Sequence, residues 1–317
     1  MAAVFLTESD VEQVIDMSAT LGIVEECLRR LAIGEATNVP RDRAIAPGII
    51  LHTMSAASGY LGHVGWKAYT TTNQGARFLV GLYDSTGAMV ALIEADKLGQ
   101  LRTGAVTGVA VKHLSPPEAD RVGLFGTGTQ ARTQLTAIAA VRKLTKVFVY
   151  GRDADRRRRF AEEMSQECGI DVEAVDDPKK AVRDLPIVVT ATTSRTPVFD
   201  GADLSPGTLV CAVGSNWLNK AEVDVTTVER AVRVVCDDVT ACRHEAGDLV
   251  PALEAGKFSW GQAVSLGEVI AGRVAGMTDP KEIVLFKSVG LAVEDVAMAV
   301  EITARARQLA LGTKLPF

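Results

Sequence analysis

The chain has 317 residues, more than one usual domain, and its 47% hydrophobic and 23% charged residues are ordinary for a soluble globular protein. A formal net charge of −5 argues against a nucleic-acid binder, and the one basic run, RDADRRRRF at 152–160, reads as a solvated helix face. No segment reaches the roughly 18 continuous apolar residues that span a bilayer, MAAVFLTESD lacks the charged start and apolar core of a signal peptide, and five cysteines without a CxxC pair fit reduced thiols in a cytoplasmic protein.

Ser9 with Glu12 makes a capping box, and Val11, Val14, Ile15, Leu21, Val24, Leu28 and Leu31 recur at helical intervals, so one or two helices are expected first. From Ala44 to Ile93, short apolar runs (AIAPGIILHTM, GYLGHVGWKAYTT, RFLVGLY, MVALIEA) between turn residues predict about four antiparallel strands. LGQLRTGAVTGVAVKHL, 98–114, reads as a small-residue helix, and the Pro pair in SPPEAD, 115–120, marks a domain boundary. Strand and helix then alternate: RVGLFG, TQARTQLTAIAAVRKL, KVFVYG, DADRRRRFAEEMSQEC, IDVEAV, PIVVTAT and TLVCAVG. The alternation predicts an α/β domain with a Rossmann-type, doubly wound parallel sheet. At 282–311 a strand precedes a long amphipathic helix that is expected to pack on the first domain.

GLFGTGTQARTQ, 123–134, sits between the first strand and first helix of that alternation. Gly126 suits the tight turn, Gly128 a close backbone approach to pyrophosphate, and Ala131 stands in for a third glycine. A helix from about Thr129 turns its free amides toward the phosphates, so Gly126, Thr127, Gly128, Thr129, Gln130 and Ala131 form the expected cradle. The bare spacing also fits a plain tight turn; the strand–loop–helix setting favours binding. At the end of the next strand, KVFVYGRDADR places Arg152 where an acidic residue would hold the 2′-hydroxyl of NAD. An arginine there can meet a 2′-phosphate, so NADP is expected, with NAD as the alternative if Arg152 lies in solvent and Asp153 takes the ribose.

Seven motifs, in order, carry a resemblance over nearly the whole chain: LRTGAVTG at 101–108, GTGTQA at 126–131, TATTSRTPV at 190–198, AVGSN at 212–216, HEAGDL at 244–249, LGEVIAGR at 266–273 and LFKSVGLAVEDVA at 285–297. The sequence resembles the ornithine cyclodeaminase/mu-crystallin family, which includes cyclodeaminases, archaeal-type alanine dehydrogenases and ketimine or pyrroline-2-carboxylate reductases. The resemblance implies a homodimer. It implies a substrate-binding and dimerisation domain of α+β type, residues 1–117 with 290–317, and a Rossmann domain, 118–289, inserted between them. It also places Thr192 and Ser288 near the cofactor; the plain alternative for both is backbone capping, common for these residue types.

Hydride transfer at the α-carbon of an amino or imino acid requires a held carboxylate, and basic side chains in apolar stretches suit that task. Arg43, Lys67 and Arg102 are the candidates, and the resemblance puts Lys67 and Arg102 at carboxylate-binding positions. The bland alternatives are a strand-end lysine for Lys67 and a capping ion pair with Glu94 or Asp96 for Arg102. Pro40-Arg41-Asp42-Arg43 departs from the family's Pro-x-Arg, so Arg41 stays open beside Arg43. Ornithine cyclodeaminases resemble this chain around AVGSN but carry Asp where Asn216 stands, and Asn takes up no proton at neutral pH. That departure favours an imine reductase, with Lys67 as proton donor and Asn216 orienting the nitrogen or a water, over cyclodeamination or a mu-crystallin-like binding role. The substrate expected is a small imino or amino acid. His63 and His244 read as structural, Trp66 and Tyr69 as packing or pocket walls, and the histidines and cysteines show no metal-ligand spacing. Neither nucleic-acid nor membrane partners are expected.

Overall fold

The computed structural model describes residues 2–316. A short strand β1 (Val4–Leu6) leads into helices α1 (Glu8–Val14) and α2 (Met17–Ala32). Thr7, not Ser9, caps α1: its hydroxyl accepts from the Asp10 amide, and Asp10 reaches back to the Thr7 amide. Thr-x-x-Asp satisfies the same free amides as Ser-x-x-Glu, so the stretch offered two frames and the earlier one is used.

Five antiparallel strands follow instead of four: β2 (Ala36–Ala46), β3 (Ile49–Ser58), β4 (His63–Thr72), β5 (Gly75–Asp84) and β6 (Met89–Glu94). AIAPGIILHTM is a hairpin rather than one strand, because its register turns over at Pro47 and Gly48, the latter at φ 80°. Pro40 disguised β2. It sits where the register shifts between Val39 and Asp42, on the edge strand of the sheet, where a missing N–H is tolerated.

Helix α3 (Asp96–Leu114) precedes the alternating region: β7 (Arg121–Phe125), α4 (Thr129–Val141), β8 (Lys146–Tyr150), α5 (Ala154–Cys168), β9 (Asp171–Ala174), β10 (Ile187–Thr190) and β11 (Leu209–Ala212). Sequence periodicity missed the short elements after it: α6 (Val225–Arg230), β12 (Arg233–Cys236), α7 (Val239–Glu245), α8 (Val250–Glu254), β13 (Ala263–Ser265) and α9 (Leu266–Ile270). Then come β14 (Val284–Lys287), α10 (Ala292–Gln308) and the two-residue β15 (Thr313–Lys314).

Two compact units result: the residues up to Arg102 with those from Gly290 onward, and residues 103–289. The division falls inside α3, not at the Pro pair. From Thr103 on, the helix is seated on α4: a Cβ on Gly104 would strike the Thr133 carbonyl, and Gln134 Nε2 donates to the Thr103 carbonyl at 3.0 Å. The first unit holds the sheet β15-β1-β6-β5-β4-β3-β2, with α10 against β2 to β6 and flanked by α1 and α2. That covering explains a departure from the amphipathic reading of α10. Every residue from Ala292 to Ala299 is buried, Glu294 and Asp295 completely. The second unit holds an all-parallel sheet, β13-β12-β14-β11-β10-β7-β8-β9, wound both ways from β7. Its switch point lies between β7 and β10, where open α/β sheets bind ligands beyond the strand ends. No helix among the described residues is long and apolar enough to cross a membrane.

Candidate active site

A cavity of about 630 Å³ opens at that switch point. The backbone leaves β7 through Gly126 at φ 117°, and a Cβ there would strike the Ala191 carbonyl oxygen, so both conformation and space demand glycine. Gly128 caps α4 with open space around it, and the first turn of that helix carries no acidic side chain. Free amides and the positive dipole end therefore face the cavity, an arrangement that can hold a phosphate. Gly126, Thr127 and Gly128 line it together with Gly151, Arg152, Asp153 and Thr192. Thr129, Gln130 and Ala131 do not line it; they form the first turn of α4, with Ala131 buried on its inner side. Arg152 is exposed at the cavity wall, and Asp153 caps α5, its Oδ1 accepting from the amides of Asp155 at 3.0 Å and Arg156 at 2.9 Å.

Behind the cavity a buried polar network ties the strand ends together. Glu222, fully buried, accepts from the Thr192 amide and hydroxyl, each at 2.7 Å, from the Gly214 amide at 2.6 Å and from the Thr190 hydroxyl at 3.1 Å. Asp248 accepts from the Glu222 amide at 2.5 Å and ion-pairs with Lys287 at 2.7 Å; Lys287 also donates to the Ser215 carbonyl at 2.7 Å. Burial and the neighbouring Asp248 push the Glu222 carboxyl up from its ordinary value, against the pull of Lys287 and Thr192. Asn216 follows Ser215 in the same loop and is half-buried. Ser288 is buried and outside the cavity wall, its hydroxyl donating to Asp237 at 2.8 Å, so that group is committed to the β14 loop.

In the first unit the expected basic residues meet partners that the sequence did not suggest. Lys67 Nζ lies 2.8 Å from Asp295 Oδ1; Arg102 reaches the same oxygen at 3.2 Å and Glu294 Oε2 at 3.0 Å. Lys67 is 2% exposed and Arg102 7%, which removes both the surface-lysine reading and the pairing of Arg102 with Glu94 or Asp96. Burial lowers the Lys67 ammonium to about 8, aided by Arg102 and Arg41 and resisted by Asp295. For Arg102 burial also opposes the charge, but Asp295 and Glu294 outweigh it and raise the guanidinium above its ordinary value. Gly290, at φ 81°, gives Arg102 its space, since a Cβ there would crowd the guanidinium.

The bulge in β2 sets Arg41 and Arg43 in different surroundings. Arg41 is buried with its guanidinium 5.9 Å from the Tyr69 ring centre and close enough to weigh on Lys67. Arg43 is half-buried and pairs in register with His52. His52 stacks on Tyr69 at 4.1 Å, and burial, with Arg43 and Arg41, lowers it to about 4, leaving it neutral near pH 7. His63 Nδ1 lies 2.5 Å from the Leu61 carbonyl, and His244 is exposed on α7. Trp66 covers Gly81. Sequence reasoning missed Glu294 and Asp295; a pair of acids inside the apolar run LAVEDVA was the available signal. Asp295 Oδ2 is buried without a hydrogen-bond partner.

A Rossmann-type α/β unit with a glycine-loop cleft, joined to a unit that buries lysine and arginine, defines the class. The ornithine cyclodeaminase/mu-crystallin family matches residues 1–309, and the chain belongs to that family. It is 37% identical over 232 residues to a Δ1-pyrroline-2-carboxylate reductase of Bacillus cereus, covering 73% of this chain and 71% of the relative. Thermococcus litoralis Δ1-pyrroline-2-carboxylate reductase, solved with NADH and L-proline, superposes with TM-score 0.94 at 31% identity, covering 98% of this chain and 100% of that one. An archaeal alanine dehydrogenase dimer with bound NAD gives TM-score 0.94 at 30% identity over the whole of both chains.

Proposed function

We propose that this protein reduces α-imino acids of the ketimine or Δ1-pyrroline-2-carboxylate type with a nicotinamide dinucleotide, NADPH in preference to NADH. The observation that carries the reading is the buried charge of the first unit, where Arg41, Lys67 and Arg102 outnumber Glu294 and Asp295. An α-carboxylate balances that excess, and guanidinium forks suit its geometry. Similarity to pyrroline-2-carboxylate reductases supports the same reading.

The glycine-loop cleft fits a dinucleotide: no side chain at Gly126 or Gly128 bars the backbone, and nothing acidic opposes phosphate at the start of α4. Gly126, Thr127 and Gly128 would hold the pyrophosphate, Arg152 the adenosine side and Thr192 the far wall; when bound, the dinucleotide supplies a hydride. The chain's own residues do the rest. Arg102 and Arg41 hold the substrate carboxylate. Lys67, lowered to about 8, is an ammonium at neutral pH and gives a proton to the imine nitrogen. Asp295 Oδ2, the buried acceptor without a partner, receives the N–H of that nitrogen. Asn216 orients the nitrogen or a water and contributes no titrating group.

The protein works as a homodimer in the cytoplasm. Val39, Ile45, Ile49, Leu51, Val64 and Leu79 are exposed apolar residues that all come from β2 to β5, a concentration suited to a second copy. The five cysteines are free thiols, as in a reducing compartment.

The test is oxidation of NADPH and NADH with pyrroline-2-carboxylate and piperideine-2-carboxylate, beside proline formation from ornithine. Consumption of NADPH with either imine and no ornithine turnover is the expected result. Ornithine turnover would assign cyclodeamination instead, and dinucleotide binding with no turnover of any of the three would assign a binding role.

A further inference from the structure

The arginine run on α5 does not behave as one solvated face. Arg158 pairs with Asp155, one turn away. Arg157 turns inward, Nη1 donating to the Gly151 carbonyl at 2.9 Å and so bracing the strand end beside the cleft. Arg156 and Arg159, three residues apart and therefore on one helix face, make no side-chain hydrogen bond or ion pair with any described residue. Both line a second cavity of about 240 Å³, walled also by Thr127, Arg132, Phe160 and Glu163. Arg132 is already neutralised by Glu163 and lies over the Phe160 ring at 5.4 Å.

The two cavities share two wall residues, Thr127 and Arg156. Thr127 belongs to the glycine loop, and a Cβ on Gly151 would come within 3.0 Å of its methyl group. Arg152 lines the large cavity and, like Arg156, has no ion pair among the described residues. Three guanidinium groups thus gather where the end of β8 meets the start of α5, with one carboxylate among them, Asp153, which Arg156 and Arg159 help to hold below its ordinary value. Their mutual repulsion is relieved by an anion, and phosphate is the anion that guanidinium recognises with two parallel bonds.

We propose that Arg156, backed by Arg159, forms with Arg152 a two-sided subsite for the 2′-phosphate of the dinucleotide's adenosine. This deepens the NADPH reading and rests on it. Arg152 alone would give a single exposed contact; Arg156 closes on the phosphate from the helix side, so discrimination against NADH needs both. Asp153, which would otherwise meet a ribose 2′-hydroxyl, has one oxygen committed to capping α5.

The experiment is fluorescence titration of the full-length protein and of Arg156→Ala, Arg156→Lys and Arg152→Ala with NADPH and NADH. Adenosine 2′,5′-bisphosphate, adenosine 5′-monophosphate and inorganic phosphate serve as competitors. Arg156→Ala is expected to weaken NADPH about tenfold and NADH less than twofold, the worth of one exposed charge-assisted contact. Arg156→Lys should recover part of the loss, and the bisphosphate should compete far better than the monophosphate. If Arg152→Ala loses NADPH preference while Arg156→Ala keeps it, the subsite is overturned and the cofactor reading stands. Inorganic phosphate competing as well as the bisphosphate would overturn it in favour of a free-anion site. Equal binding of NADPH and NADH by the unaltered protein would remove the cofactor reading and the subsite together.

Discussion

The two units bury charge of opposite sign. In the first, Arg41, Lys67 and Arg102 outnumber Glu294 and Asp295; in the second, Glu222, Asp237, Glu245 and Asp248 outnumber Lys287. Their partners differ as well. Glu222 holds the amides of Thr192 and Gly214, Asp248 those of Glu222 and Val223, and Asp237 those of Asp238 and Val289. Lys67 and Arg102 bond instead to the side chains of Glu294 and Asp295. A charge bonded to backbone amides shapes the chain, because those amides have no second acceptor. A charge bonded to another side chain can be shared with a ligand at little cost in structure.

The largest effect should come from Arg102→Ala. It removes the proposed contact to the substrate carboxylate and leaves Glu294 and Asp295 facing less compensating charge, so catalytic efficiency should fall about a thousandfold and stability by about 3–5 kcal/mol. Steady-state kinetics and denaturant unfolding measure the two, and dinucleotide affinity should stay within about twofold. Wild-type kinetics in this variant would erase the distinction drawn between the units.

Glu222→Ala sharpens the other side of it. The amides of Thr192 and Gly214 would lose their acceptor, at about 2–4 kcal/mol for the pair. The expected signature is a lower unfolding midpoint with weakened dinucleotide binding; turnover at saturating dinucleotide should drop less than in Arg102→Ala.

Lys67 offers a pH test. With the ammonium lowered to about 8, the reductive rate should fall about tenfold per unit above that pH, and a Lys67→Arg variant should lose this limb. Stability should run the other way for this group. Its folded value lies below the unfolded one, so its favourable contribution is present above the unfolded value of 10.5 and is lost as pH falls through about 8. A pH–rate profile that is flat between 7 and 9.5 would remove Lys67 as the proton donor. The smallest effect is expected for Ser288→Ala, about 1 kcal/mol, because Asp237 Oδ2 keeps the Val289 amide when the hydroxyl is lost.

Much of the second unit was legible in the residues themselves. The glycine loop and the alternation from β7 to β11 are local patterns, and local patterns survive in any tertiary setting. The strands β12 and β13, four and three residues long, are too short for periodicity to mark, and Pro40 argued against the strand that contains it. The different burial of Arg41 and Arg43 was hidden for a related reason: one bulge between Val39 and Asp42 resets which side chains share a face.

What the sequence determined by itself is the family, the parallel sheet, the turn at Gly126 and the presence of Lys67 and Arg102 in apolar surroundings. Each follows from short local patterns, or from their order along the chain, without any knowledge of which distant residues meet. What only the tertiary structure decided is the pairing of those cations with Glu294 and Asp295, because Lys67 meets a partner 228 residues away. Helix periodicity reports where apolar residues recur along a helix; it does not report that α1, α2 and a sheet flank α10, and that covering turns two ordinary acids into buried counter-charges.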